Sequence, residues 1–188
     1  AEEAGDKLNT EELTMMVDAV IVGGTDTTRN QLGLALALFA EHPEQWALLG
    51  KDPSLAQRAV EEVLRFSGAV GGTIRFASED IEYNGVLFPK GTFMSTSMST
   101  GNYDKSVFPE PETFDITREP VGQPHLSLGA GIHYCLGASL ARAELQEAFT
   151  VLSQRMLNVE LDGPVIYKPS NVGIFGPASL PVKFTPSR

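Results

Sequence analysis

Leu128-Gly129-Ala130-Gly131-Ile132-His133-Tyr134-Cys135-Leu136-Gly137 places the only cysteine of the chain at the end of a glycine-paired loop, and a strongly helical run follows directly. Glycines let such a loop turn backbone amides toward the sulfur. A helix start adds the positive end of its dipole. Both favour the thiolate, the form of cysteine that binds metal. With no second cysteine the sulfur has no disulfide partner, and it lacks the companions of a four-ligand zinc site. A lone thiolate does suit the axial position of a haem iron, where it pushes electron density toward O–O cleavage.

Working outward, residues 129–137 spell Gly-x-Gly-x-His-x-Cys-Leu-Gly, and Ala138-Ser139-Leu140-Ala141-Arg142-Ala143-Glu144 follows. This arrangement resembles the haem-binding loop and succeeding helix of the cytochrome P-450 monooxygenases. The resemblance implies that Cys135 is the axial ligand of haem b (iron protoporphyrin IX). It also implies that Leu128, Gly129 and Gly137 belong to the cofactor-binding loop. Leu128 departs from the Phe usual in the family, a change expected to alter packing and polarity around the sulfur more than ligation.

Bulk properties agree with an ordinary folded domain. The chain has 188 residues, 42% of them hydrophobic, enough for one real core. Its net charge of −10, with no basic stripe, argues against nucleic acid or an anionic membrane as the main partner. One cysteine excludes a disulfide scaffold and fits a reducing compartment, so the expectation is a cytoplasmic protein. The most apolar run, Leu13 to Gly24, is interrupted by Asp18 and too short to span a bilayer. The chain starts without Met on an acidic, Lys-containing segment, which reads as the middle of a longer protein.

The elements follow from local signals. Asn9-Thr10-Glu11-Glu12 is a helix start with a carboxylate three residues after its cap, and apolar residues run on from it. One long helix is expected over 10–42, stopped by His42-Pro43. Pro43 opens another helix, and Pro53 a third over 54–66, capped by Asp52. Short strands are expected at 73–76, 81–83, 86–88 and 92–97, with Asn84-Gly85 as a hairpin turn and Pro89-Lys90-Gly91 as a second. Residues 102–123 read as a long ordered loop or linker, 124–135 as the cysteine loop, and 136–156 as a helix. The tail carries short strands near 159–161 and 182–184, around turns at Gly163-Pro164 and Gly176-Pro177. The fold class expected is mainly α with a small β region, and residues 1–188 form a single segment.

Three further motifs carry chemistry. Gly23-Gly24-Thr25-Asp26-Thr27-Thr28 lies inside the long helix, where each glycine costs about 1 kcal/mol relative to Ala. A local distortion is plausible there, because Thr can bond back to the preceding turn. The stretch resembles the oxygen-activating segment of the family, which implies that Asp26 and Thr27 are catalytic and deliver protons to dioxygen in an otherwise apolar pocket. Glu62-Val63-Leu64-Arg65 alone reads as a surface ion pair worth little. By the same resemblance, Glu62 and Arg65 join Arg118, from Phe114-Asp115-Ile116-Thr117-Arg118, in a buried structural network. The resemblance also assigns His133 and Arg75 to the haem propionates, and brings Val70 to Thr73 and Ile174-Phe175 near the distal pocket. His42 and His125 have no match and read as structural or surface residues. Tyr103, in Asn102-Tyr103-Asp104, replaces an Arg usual in the family.

The resemblance covers nearly the whole chain but only the C-terminal part of the family fold. The helices that normally precede the long one, which supply most of the substrate pocket and its lid, have no counterpart. The apolar surface of the long helix is then expected to be exposed and to favour self-association, and the isolated segment to hold haem weakly or not at all. The activity implied is that of a soluble, bacterial-type haem-thiolate monooxygenase. Dioxygen and a small apolar organic substrate are consumed, and electrons come from a ferredoxin-type partner with its reductase. A peroxide-dependent peroxygenase and a non-catalytic module without haem remain the rivals. A cysteine hydrolase built on Cys135 and His133 is disfavoured, since no Asn or Asp stands ready to orient the imidazole.

Overall fold

The computed structural model describes residues 8–169 and 173–187. Helix α1 spans Thr10–Glu41. The side chain of Asn9 accepts from the Glu12 amide while Glu12 reaches back to the Asn9 amide, so two orphan donors are satisfied at once. The helix runs unbroken through Gly23 and Gly24. The hydroxyls of Thr25 and Thr27 bond to the carbonyls of Ile21 and Gly23 without opening the turn. The amide of His42 ends the helix by donating to Leu38 and Phe39.

Helix α2 (Pro43–Lys51) begins on its proline, as expected. The third helical stretch starts one turn tighter than a regular helix. A 3-10 turn at Pro53–Leu55, capped by Asp52, leads into α3 (Ala56–Phe66). The helix after the cysteine, α5, spans Ala138–Arg155, two residues later than the expected start. The second half of α1, together with α2, α3 and α5, closes a core around Phe39, Leu49, Val63, Ile116, Leu145 and Phe149. Trp46 donates its indole N–H to the Met156 carbonyl (2.7 Å), which ties α2 to the strand after α5. The first half of α1 carries no such cover: Leu13, Met15, Val17, Val20, Ile21 and Val22 are all exposed.

The β region consists of antiparallel pairs. Strand β1 (Gly72–Phe76) pairs with β4 (Phe93–Ser97), and β2 (Ile81–Tyr83) with β3 (Val86–Phe88). Asn84 and Gly85 take φ of 51° and 76° between the last two, the left-handed pair that a two-residue hairpin needs. In the tail, β5 (Met156–Leu161) pairs with β8 (Val182–Pro186), and β6 (Ile166–Tyr167) with β7 (Pro177–Ser179). One expectation needs correction, and one element was not anticipated. Pro177 opens a strand rather than completing a turn; its ring packs on α1 against Gly33. Residues 98–102 form a short helix, α4 (Met98–Asn102), whose cap Ser97 accepts from the Thr100 amide. The long segment after it is irregular and held by side chains rather than by backbone ladders. The whole is mainly α with a small β region.

Candidate active site

The loop into Cys135 is built by its own backbone. The Gly129 amide donates to Leu126 (2.8 Å), and the Cys135 amide donates back to Leu128 (2.8 Å), closing the loop on itself. Gly129 and Gly131 take φ of 75° and 64°, and a Cβ on Gly129 would meet the His133 carbonyl oxygen at 3.1 Å. Only glycine fits the first of these positions without strain.

This loop forms one wall of a cavity of about 650 Å³. The other walls are α1, the start of β1, the end of β4 and the first turns of α5. Of the residues singled out by sequence, Thr27, Arg75, Leu128, Gly129, His133 and Cys135 all line it. Asp26 and Gly137 are not among its lining residues. Gly137 is the N-cap of α5, and Asp26 turns to Arg29 and to Lys168 (3.5 Å) on the segment after β6. The hydrogen bond from Arg29 holds the Asp26 carboxyl below its ordinary value, against a smaller opposing effect of desolvation. Arg75 donates to the Thr73 hydroxyl and the Ile74 carbonyl (2.8 Å each). Val70, Gly72 and Thr73 also reach the cavity, whereas Phe175 stacks on Tyr167 and borders a smaller neighbouring cleft.

Among the described residues, no group of three or more His, Cys, Asp and Glu side chains could hold a metal ion. A metal at Cys135 must therefore bring its other ligands with it. A haem does so, and the remaining lining suits one. The volume falls in the usual range for a cofactor site, Leu64, Val70 and Leu128 give apolar contact, and Arg75 and His133 offer donors for carboxylates.

Behind the loop lies a buried ion network. Glu62 and Arg65 meet through two hydrogen bonds of 2.8 Å, both side chains at most 3% exposed. Arg118 reaches both Glu62 oxygens, at 3.2 and 3.1 Å. Arg65 also donates to the carbonyls of Asn102 and Pro111, and Asn102 in turn accepts from the Leu126 amide (2.7 Å). The three residues grouped by resemblance are thus together, and they connect to the start of the cysteine loop through Asn102.

A second network was not read from the sequence. Glu61, next to Glu62, accepts from Arg142 Nε and Nη2 at 2.6 and 3.1 Å. Arg142 donates onward to the Tyr134 hydroxyl (2.8 Å), and His125 Nε2 lies 3.3 Å from Glu61. Burial would raise the Glu61 carboxyl, but the bonds from His125 and Arg142 outweigh it, lowering it from 4.5 to about 2. His125, taken as structural or surface, is buried at 7% exposure. Gln31 was missed as well: it pins α1 to the segment after α3 through the Ser67 carbonyl and Ala69 amide, 2.8 Å each.

The family model for cytochrome P450 matches residues 51–165. The chain is 41% identical over 174 residues to luteothin monooxygenase of Streptomyces thioluteus, covering 92% of this chain and 42% of that protein. It is 36% identical over 190 residues to steroid C26-monooxygenase of Mycobacterium tuberculosis, covering 100% of this chain and 50% of that protein. Among solved structures, the cytochrome P450 PksS of the Bacillus subtilis bacillaene polyketide synthase superposes with a TM-score of 0.92 at 36% identity, covering 98% of this chain and 48% of that one. The chain therefore spans about half the length of the curated relatives it matches. The glycine-paired loop that ends in Cys135, the cavity beneath α1 and these likenesses converge on one assignment: the chain belongs to the cytochrome P450 family.

Proposed function

We propose that the chain supplies the iron-ligating part of a haem-thiolate monooxygenase. Cys135 holds the iron of haem b, Arg75 and His133 hold its propionates, and Leu128 and Gly129 pack beside it. Gly137 ends the loop where α5 begins. When bound, the haem supplies the redox chemistry: with two electrons and two protons, one oxygen atom of dioxygen enters a C–H or C=C bond and the other leaves as water.

The side chains of this chain supply the rest. Thr27 sits on the cavity wall, where its hydroxyl is placed to hand a proton inward. Asp26, beside Thr27 in sequence and paired with Arg29 and Lys168 outside the cavity lining, is the acid that would pass protons from solvent toward Thr27. This acid–hydroxyl pair favours dioxygen over peroxide as oxidant, since peroxide carries its own protons. Electrons come from a separate ferredoxin-type protein fed by a reductase, and the compartment is the cytoplasm. The substrate is a small apolar organic molecule, in keeping with the apolar lining. The names of similar proteins include a luteothin, a nocardicin and a steroid oxygenase, so likeness selects no substrate within that class.

The observation that carries this reading is one cavity on which Thr27 of α1, Arg75 of β1 and His133 and Cys135 of one loop converge. Titrating the 188-residue chain with haemin, then reducing it under carbon monoxide, tests it. A red-shifted Soret band that Cys135→Ser abolishes is the expected result. A band that Cys135→Ser leaves unchanged in position and strength refutes the reading.

A further inference from the structure

We propose that Glu61 is a positioning residue for the ligand cysteine: its carboxylate gathers both ends of the cysteine loop and the helix that follows, and so fixes where Cys135 stands. The inference rests on the haem-thiolate reading above for its functional meaning, and on geometry for its substance.

Glu61 uses both oxygens. Arg142, on the second turn of α5, meets it in a two-point contact at 2.6 and 3.1 Å. Such paired charge-assisted bonds define direction as well as distance. The third guanidinium nitrogen, Nη1, goes to the hydroxyl of Tyr134, the residue immediately before the cysteine. At the other end of the loop, His125 presents Nε2 to the same carboxylate at 3.3 Å. Its Nδ1 accepts the Ser127 amide (3.2 Å), so the neutral ring carries its proton on Nε2. That proton needs an acceptor. Nε2 is buried and has no bond of good geometry to any other atom, and the Glu61 carboxylate is the acceptor within reach.

One carboxylate on α3 therefore restrains residue 125, residue 134 and α5 together. Glu62, one position along the helix, serves a different region, tying down Arg118 and the segment around it. The two acids divide the task. Glu62 holds the chain leading toward the loop, and Glu61 holds the loop itself. Removing the charge at Glu61 leaves Arg142 without a counter-ion, and the single amide oxygen of a Gln cannot serve both Arg142 and His125 as the carboxylate does. Arg142, still bonded to the Tyr134 hydroxyl, then loses its two-point anchor on α3, and the hold on Tyr134 and its neighbour Cys135 loosens.

The test uses Glu61→Gln, which keeps the side chain's shape, beside Glu119→Gln, which removes the partner of Arg58 on the surface. In the 188-residue chain without haem, amide hydrogen exchange is followed at Gly129, Cys135 and Ala138. All three amides are held by backbone bonds in or at the end of the loop. Glu61→Gln speeds exchange at these positions by roughly tenfold while α2 and β5 change little, and Glu119→Gln leaves all of them alone. Unchanged loop exchange, or an equal rise throughout the chain, overturns the proposal. With excess haemin, reduction and carbon monoxide, Glu61→Gln shifts part of the absorbance from the thiolate band to the shorter-wavelength band of a protonated or displaced thiol. An unaltered spectrum also overturns it. If the band of the unsubstituted chain survives Cys135→Ser, the haem-thiolate reading fails, and the exchange measurement still decides whether Glu61 holds the loop.

Discussion

Tyr103 sets an aromatic ring beside the buried guanidinium of Arg65, whose centre lies 5.6 Å from the rings of Tyr103, Phe66 and Phe108 alike. Its hydroxyl donates to the Phe66 carbonyl (2.8 Å). An Arg at 103, usual by resemblance, would bring a second positive charge to this spot; the ring gives packing and a cation–π contact instead. Charge matters differently at Glu61. Its carboxyl is depressed from 4.5 to about 2, so the folded chain binds fewer protons there than the unfolded one between those values. The stability Glu61 contributes is therefore complete above about pH 4.5 and disappears as pH falls toward 2. Denaturant midpoints of the unsubstituted chain and of Glu61→Gln are expected to differ at pH 6 and to converge by about pH 2. A gap that persists at that acidity contradicts the assignment. At this scale the place of Cys135, Arg75 and Thr27 on one cavity was legible because each sits in a short motif with fixed spacing. Glu61 was not, since its bond to Arg142 spans 81 positions and no local pattern encodes it.

Helix α1 shows how one element can carry opposed requirements. Gly23 and Gly24 both have open space where a Cβ would go, and each costs the helix about 1 kcal/mol relative to Ala. Gly23 lines the cavity and Gly24 does not. Gly24→Ala is therefore expected to stabilise the chain by up to about 1 kcal/mol with haem uptake unchanged. Gly23→Ala stabilises the haem-free chain to a similar extent yet weakens haemin binding several-fold, since its methyl group enters the cofactor space. Thermal unfolding and haemin titration of both variants check this; equal haemin affinities would mean that Gly23 does not face the cofactor. The helix itself was legible from the capping box at Asn9 and the apolar run after it. The short helix α4 and strand β7 were not. Five and three residues carry too little periodicity to compete with turn signals such as Gly-Pro, and packing on neighbouring elements decides their conformation.

For the molecule as a whole, the uneven burial of α1 dominates. Its second half lies in the core, while Val17, Val20, Ile21 and Val22 stand 49–68% exposed on its first half. Continuous apolar surface of this kind promotes association. The 188-residue chain is expected to sediment as oligomers at micromolar concentration, and Val17→Glu with Ile21→Glu, one helical turn apart, to restore the monomer. A monomeric unsubstituted chain would contradict this. The fold class was legible at this scale, because helix and strand patterns alternate with clear punctuation. How the separate strand pairs and the irregular segment 103–130 assemble was not, since that depends on long-range side-chain bonds from Glu62, Arg65 and Asn102.

Trp46 is the only tryptophan, 3% exposed, with its ring 4.9 Å from that of Phe39 and its N–H bonded across to Met156. A solitary indole so enclosed is a built-in optical gauge. Its emission reddens when the surrounding pack loosens, and it dims by energy transfer when a porphyrin settles within range. One lamp thus tells melting apart from pigment capture, with no dye added.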